Sequence, residues 1–153
     1  MILVLLGTQK QQFNRLLSYL EDIDVKDDII IQKGYTTYNG KYKSFMFDNN
    51  LNLIIKKSDI IITHGGIGSI MECLEFKKKV IVVPRLKKYN EHVDNHQLEI
   101  VNSIKKYVMI ATNKEELENA LFEIKTKKLP IYKSNNINFN VQLESIIKKM
   151  IKE

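Results

Sequence analysis

Apolar and polar positions alternate between two periods along the whole chain. Met1 to Leu6 is an unbroken apolar run that stops at Gly7, as expected of a strand buried on both faces. Phe13, Leu16, Leu17 and Leu20 then recur at helical spacing. Asp28 to Gln32 holds three consecutive isoleucines and closes on Lys33-Gly34, which predicts a second strand, and Lys43 to Phe47 predicts a weaker third. Leu51 to Lys57 has a short helical pattern that Ser58-Asp59 breaks, and the β-branched run Ile60-Ile61-Ile62 follows. After a glycine-rich turn, Ile67 to Phe76 returns to helical spacing, and Val80 to Val83 is a strand stopped by Pro84. A helix is predicted from about Val93 to Ile104, then a strand near Tyr107 to Ile110. The next helix is opened by Thr112-Asn113, with Glu115 and Glu116 in its first turn, where the helix dipole favours them. A last helix, from about 138 to 152, puts Phe139, Leu143, Ile146, Ile147, Met150 and Ile151 on one side and Lys148, Lys149 and Lys152 away from it. Packing of that face on its own domain is the expectation, ahead of docking on a partner.

Strands alternating with helices of this length predict an α/β fold. It is a doubly wound, Rossmann-like parallel sheet with helices on both faces, in one domain spanning residues 1–153. Ligands of such folds sit at the carboxyl ends of the strands. With 44% hydrophobic and 27% charged residues, the chain can form an ordinary core. No apolar run approaches the roughly 20 residues that span a bilayer. The first run has no basic segment before it and continues into Gly7-Thr8-Gln9-Lys10, so it reads as a strand and not as a secretory leader. The single cysteine, Cys73, leaves no disulfide framework and no thiolate-rich zinc site. Both features predict a cytoplasmic protein.

The net charge is +6, from 24 basic and 18 acidic residues, yet only Arg15 and Arg85 among the basic residues are arginine. Sequence-reading nucleic-acid binders lean on the bidentate arginine fork, so scattered lysine argues against nucleic acid as a partner. The lysines cluster at 77–79, 87–88, 105–106, 125–128 and 148–149. Such clusters suit an anionic membrane surface or a merely solvated face.

The candidate chemistry begins at Thr63-His64-Gly65-Gly66-Ile67-Gly68-Ser69, where a buried strand ends and a helix opens. Glycines let the backbone approach a ligand closely, and the first N–H groups of the helix are unpaired donors at its positive end, which suits a phosphate. The bland reading is a tight turn with Ser69 as the helix cap. A dinucleotide fingerprint is disfavoured, because Met71 stands where its third glycine belongs, and no Walker loop is present. Glu72, one turn into the helix, suits the vicinal hydroxyls of a ribose. Asn90 to Gln97 then packs Glu91, His92, Asp94, Asn95, His96 and Gln97 into eight residues at a predicted loop-to-helix junction, a set able to bond several sugar hydroxyls. A nucleotide sugar fits all three clusters.

These segments, with Gly7-Thr8-Gln9, Gln32-Lys33-Gly34-Tyr35 and Val82-Val83-Pro84-Arg85, give the chain a near full-length resemblance to the carboxyl-terminal domain of glycosyltransferase family 28. Within the family it is most similar to the small subunits of two-component transferases, of the bacterial capsule and exopolysaccharide type and the dolichol-pathway N-acetylglucosaminyltransferase type. The resemblance implies the carboxyl-terminal half of a GT-B enzyme and an inverting, metal-independent transfer from a UDP-sugar to a lipid-linked saccharide. It implies that amides around Gly65, Gly66, Gly68 and Ser69 hold the diphosphate while His64 adds polarity beside it. Glu72 would take the ribose, and Gln97, His96 and Asp94 would meet the donor sugar. Phe47 with the Asp48 backbone would lie at the uracil, and Thr8 would line the cleft. No cofactor is implied. Because GT-B enzymes react in a cleft between two Rossmann-like domains, one domain implies a separate, membrane-anchored partner subunit that binds the acceptor and holds this chain peripherally at the inner membrane face. The sequence singles out no catalytic base, so a non-catalytic nucleotide-sugar-binding or regulatory module is the alternative. A metal site on His92 and His96, at i and i+4, lacks a third ligand at familiar spacing.

Overall fold

The computed structural model describes residues 1–134 and 137–152, with side chains described over 1–134 and 140–149. Among the described residues, six strands form one parallel sheet: β1 (Ile2–Leu5), β2 (Ile29–Gln32), β3 (Lys43–Phe45), β4 (Ile60–Thr63), β5 (Lys79–Val82) and β6 (Met109–Ile110). Their order across the sheet is β3-β2-β1-β4-β5-β6. The chain starts in the middle, winds outward to β3, and then returns to the other side of β1 at β4. The carboxyl ends of β1 and β4, which pair in register from Ile2↔Ile60 to Leu5↔Thr63, flank the point where the winding reverses. Crevices for ligands form at such switch points.

The helices are α1 (Asn14–Asp22), α2 (Leu51–Lys57), α3 (Ile67–Glu75), α4 (His96–Ser103), α5 (Lys114–Glu123) and α6 (Ile137–Lys152). Strand periodicity sends alternate residues to opposite faces, and the core divides accordingly. Ile2, Val4, Leu6, Ile60 and Ile62 pack with Leu16 and Leu20 of α1 and Leu117 and Leu121 of α5. Leu3, Leu5, Ile61, Val80 and Val82 pack on the other face with Ile55 of α2, Ile70, Cys73 and Leu74 of α3, and Val101 of α4. Both faces of the central strands are therefore dry, which is why they read as continuous apolar runs.

Several boundaries differ from the sequence expectation for local reasons. Strand β2 begins at Ile29 and β3 ends at Phe45, so Met46 and Phe47 lie beyond the sheet. Helix α4 starts at His96 and not at Val93, because the Asp94 carboxylate accepts the His96 N–H at 2.9 Å and holds a turn that competes with helix. His92 and His96 are thus not on one helix. The opening of α5 is as expected: Asn113 accepts the Glu116 N–H at 2.9 Å while the Glu116 carboxylate accepts from the Thr112 N–H and hydroxyl at 2.6 and 2.8 Å. In α6, Leu143 packs against the core and Lys148 and Lys149 are exposed. Expectations for the faces of Phe139, Met150, Ile151 and Lys152 lie outside the residues whose side chains are described.

Candidate donor-substrate site

The loop after β4 is built around the His64 ring. His64 is 7% exposed, and its Nδ1 accepts the Gly66 N–H at 2.9 Å. A Cβ on Gly7 or on Gly66 would run into the imidazole, so the two glycines exist to let the backbone close on that ring. Burial, with help from the neighbouring Arg85 charge and His92, pushes the His64 pKa down to about 4. The imidazole is therefore neutral near pH 7. With Nδ1 an acceptor, the proton resides on Nε2, which stands 3.5 Å from the Ser69 hydroxyl.

Gln97, at the second position of α4, stitches the two neighbouring loops. Its side-chain oxygen accepts the N–H groups of both Gly65 and Arg85 at 2.9 Å, and its nitrogen lies 3.3 Å from His64 Nδ1. A Cβ on Gly65 would lie 2.6 Å from Gln97 Cβ, so this glycine too serves close packing. The placement changes two expectations. The amide oxygen of Gln97, expected at the donor sugar, is spent on backbone, and the side chain is 5% exposed. The N–H groups of Gly65 and Gly66, expected on the diphosphate, already have protein acceptors.

The available donors lie one step further on. Helix α3 starts at Ile67 with Gly66 as N-cap and no side-chain cap, so Ser69 sits inside the first turn and is not the cap. The N–H groups of Ile67, Gly68 and Ser69 have no acceptor among the described residues. A Cβ at Gly68 would meet nothing within 4 Å. Gly68 is thus the glycine here that the protein's own packing does not require. Glu72 follows it at i+4, on the same helix face one turn up, half-buried and without an ion pair or hydrogen bond to a described residue.

Behind these donors lies a charged scaffold that the sequence did not single out. The Arg85 guanidinium, fully buried, donates to the carbonyls of Leu6, Gln11 and Glu91 at 2.7, 2.8 and 3.1 Å and lies 4.7 Å from the Phe13 ring centre. Burial lowers its pKa to about 10, against the pull of Glu91, so it stays charged at neutral pH. The Glu91 carboxylate, with 3% side-chain exposure, takes Arg15 in a two-pronged ion pair at 2.8 and 2.9 Å. Gln32 does for the β1 side what Gln97 does for the β4 side: it accepts from the Gly7 N–H at 3.2 Å and donates to the Met46 carbonyl at 2.9 Å. That bond ties the segment carrying Phe47 to the first loop. Phe47 itself is 47% exposed and meets Tyr35 edge-on at 5.3 Å, and Thr8 is exposed. The Asp94 carboxylate lies 3.0 Å from the Nδ1 atoms of both His92 and His96, and the Asp94 N–H donates to His92 Nδ1 at 3.3 Å, so Asp94 sits between the two rings. Among the described residues no group of three or more His, Cys, Asp or Glu is arranged to hold a metal ion. A missed signal for the scaffold was available: the chain's two arginines both fall in segments flanking this edge.

The chain is 32% identical over 127 residues to UDP-N-acetylglucosamine transferase subunit ALG13 of Candida glabrata, covering 80% of this chain and 62% of that protein. It is 29% identical over 132 residues to a UDP-N-acetylglucosamine--N-acetylmuramyl-(pentapeptide) pyrophosphoryl-undecaprenol N-acetylglucosamine transferase of Prochlorococcus marinus, covering 78% of this chain and 36% of that protein. The chain thus spans less than two thirds of the first relative and about a third of the second. An NMR structure of ALG13 matches in fold with a TM-score of 0.61 at 24% identity, over 95% of this chain and 96% of that one. The crystal structure of the kitacinnamycin glycosyltransferase matches with a TM-score of 0.57 at 14% identity, over 96% of this chain and 38% of that one. The family model for the glycosyltransferase family 28 C-terminal domain matches residues 1–150, and the chain belongs to that family.

Proposed function

We propose that this chain is the donor-binding catalytic subunit of an inverting, metal-independent glycosyltransferase that takes a UDP-sugar. UDP-N-acetylglucosamine is the first candidate, given the names of the relatives. The observation that carries the reading is the start of α3, where three N–H groups and the Glu72 carboxylate, all without a partner among the described residues, share one end of one helix with an open Gly68. The diphosphate lies against the N–H groups of Ile67, Gly68 and Ser69, and the Glu72 carboxylate accepts the ribose hydroxyls one turn up. As the anomeric bond breaks, negative charge grows on the departing UDP, where the helix dipole and the buried Arg85 charge stabilise it. Uracil sits by Phe47 at the rim, with Thr8 lining the cleft. The sugar faces His96, beside Asp94, and the amide nitrogen of Gln97. Neutral Nε2–H of His64 fixes the Ser69 hydroxyl beside the phosphates.

The acceptor in this reading is a lipid-linked saccharide, in polysaccharide biosynthesis of the capsule or exopolysaccharide type. It is bound by a membrane-anchored partner subunit that closes the cleft and holds this chain at the inner face of the membrane. The relatives named as transferase subunits support a partner.

Calorimetric titration of the chain with UDP and with UDP-N-acetylglucosamine tests the site. Replacing Glu72 by Ala should weaken UDP binding by about 1.5–3 kcal/mol, because charged hydrogen bonds are lost. Equal affinities would overturn the ribose assignment, and absence of UDP binding would overturn the whole reading. UDP-sugar binding without transfer in the presence of the partner would make the chain a binding module.

A further inference from the structure

At the end of the sheet opposite the donor site, a groove of about 560 Å³ runs between the loop before β5 and the segment after α5. Six lysines line it, Lys77, Lys78, Lys79, Lys125, Lys127 and Lys128, and no acidic side chain does. Two of the ammonium groups are turned inward: Lys78 donates to the carbonyls of Lys56 and Ser58, and Lys79 to those of Ile124 and Lys125. Lys125 pairs with Asp27 at 2.6 Å, and Lys127 lies 4.0 Å from Glu123. Lys77 and Lys128 meet no carboxylate among the described residues. Six like charges around one groove repel one another, and Lys77 and Lys128 lack counter-charge among the described residues. Apolar groups complete the rim: Pro130 is exposed, Leu129 is half-buried, and Ile131 is 62% exposed.

We propose that this basic, Ile131-tipped groove is a membrane-docking surface for anionic phospholipid headgroups. The lysines supply attraction to a negatively charged leaflet, and Ile131 with Pro130 supplies apolar contact at the headgroup boundary. Two features favour lipid over nucleic acid. Both arginines of the chain lie at the other end of the sheet, Arg85 buried and Arg15 half-buried against Glu91, so the bidentate fork is missing here. The aromatic side chains of the groove, Tyr107 and Tyr132, are 5% and 8% exposed and packed edge-on against each other at 5.7 Å, so they cannot stack on bases. A free phosphate would leave the exposed Ile131 without a role. Because the groove and the donor site occupy opposite ends of the strands, docking leaves the donor site open to substrate and partner.

The test is co-sedimentation of the full chain with vesicles of pure phosphatidylcholine and of phosphatidylcholine mixed with phosphatidylglycerol. Binding to the mixed vesicles alone, weakened by added salt, is the expected result. Each well-placed lysine is worth about fivefold in partitioning, so the K127E/K128E double variant should bind roughly twentyfold more weakly or worse. Ile131→Ser should lose several-fold while keeping the salt dependence. UDP titration of both variants should match wild type, which shows that they fold. No preference for phosphatidylglycerol, or an Ile131→Ser variant that binds as wild type, would overturn the proposal. Displacement from vesicles by low concentrations of pyrophosphate would instead mark a free-anion site, and tighter binding to single-stranded RNA a nucleic-acid surface.

Discussion

His64 Nδ1 accepts the backbone N–H of Gly66 at 2.9 Å, so the imidazole folds back on the loop that follows it and its tautomer is set by the main chain. A protonated ring could not accept that bond. The folded-state pKa, about 4, lies below the ordinary histidine value of 6.5. A depressed base contributes stability that is fully present above the unfolded value and is lost as pH falls through 6.5 toward 4. The melting temperature should therefore fall as the pH is lowered across that window, and a His64→Asn variant, which keeps an acceptor near Nδ1 but cannot titrate, should show a shallower fall. Parallel slopes in the two proteins would refute the assignment.

The glycines of the loop should separate by experiment. Gly68→Ala adds a methyl group where nothing lies within 4 Å, at a helical position where alanine is favoured by about 1 kcal/mol. It should leave the melting temperature equal or higher while UDP affinity drops, because the methyl occupies ligand space. Gly66→Ala drives a Cβ into the His64 ring and should destabilise the fold. A Gly68→Ala variant that binds UDP as wild type would place the diphosphate elsewhere.

Gln97→Ala removes one acceptor from two buried N–H groups, those of Gly65 and Arg85. Unsatisfied buried donors cost about 1–3 kcal/mol, so denaturant unfolding should show a loss of that size, and UDP affinity should fall as the loop loosens. Unchanged stability with altered sugar preference would return Gln97 to a purely substrate-facing role.

Glu91→Ala strands Arg15, whose side chain is 9% exposed, without its carboxylate and also frees the Leu86 N–H. Breaking a buried pair from one side costs about 3–5 kcal/mol. Thermal unfolding should register a large drop, and the Arg15→Met/Glu91→Leu double variant should recover much of it. A double variant no better than the single would mean that the pair is not self-contained.

Much of the fold was legible from one dimension. The run at 60–62 is dry on both faces and the isoleucines at 29 and 31 are buried as well, and helices between such strands leave a wound parallel sheet as the economical arrangement. The glycine-rich turn into α3, and Glu72 one turn beyond, follow from local spacing alone. Helix edges were less legible. The start of α4 depends on the Asp94 side chain accepting the His96 N–H in a turn that competes with helix.

What the sequence determined by itself is whatever depends on neighbours within a turn or a strand: the order of elements, the end of the sheet that carries the site, and the free amides at the head of α3. What only the tertiary structure decided is the use of each polar group once distant segments meet. Gln97 and Gly65 are 32 residues apart and Arg15 and Glu91 are 76 apart, and no periodicity reports that one member of each pair will satisfy the other. The physical reason is that a buried polar group takes the partner that folding brings within about 3 Å. Glycines alike in sequence therefore part ways: Gly65 and Gly66 yield to the packing of Gln97 and His64, while nothing packs against Gly68.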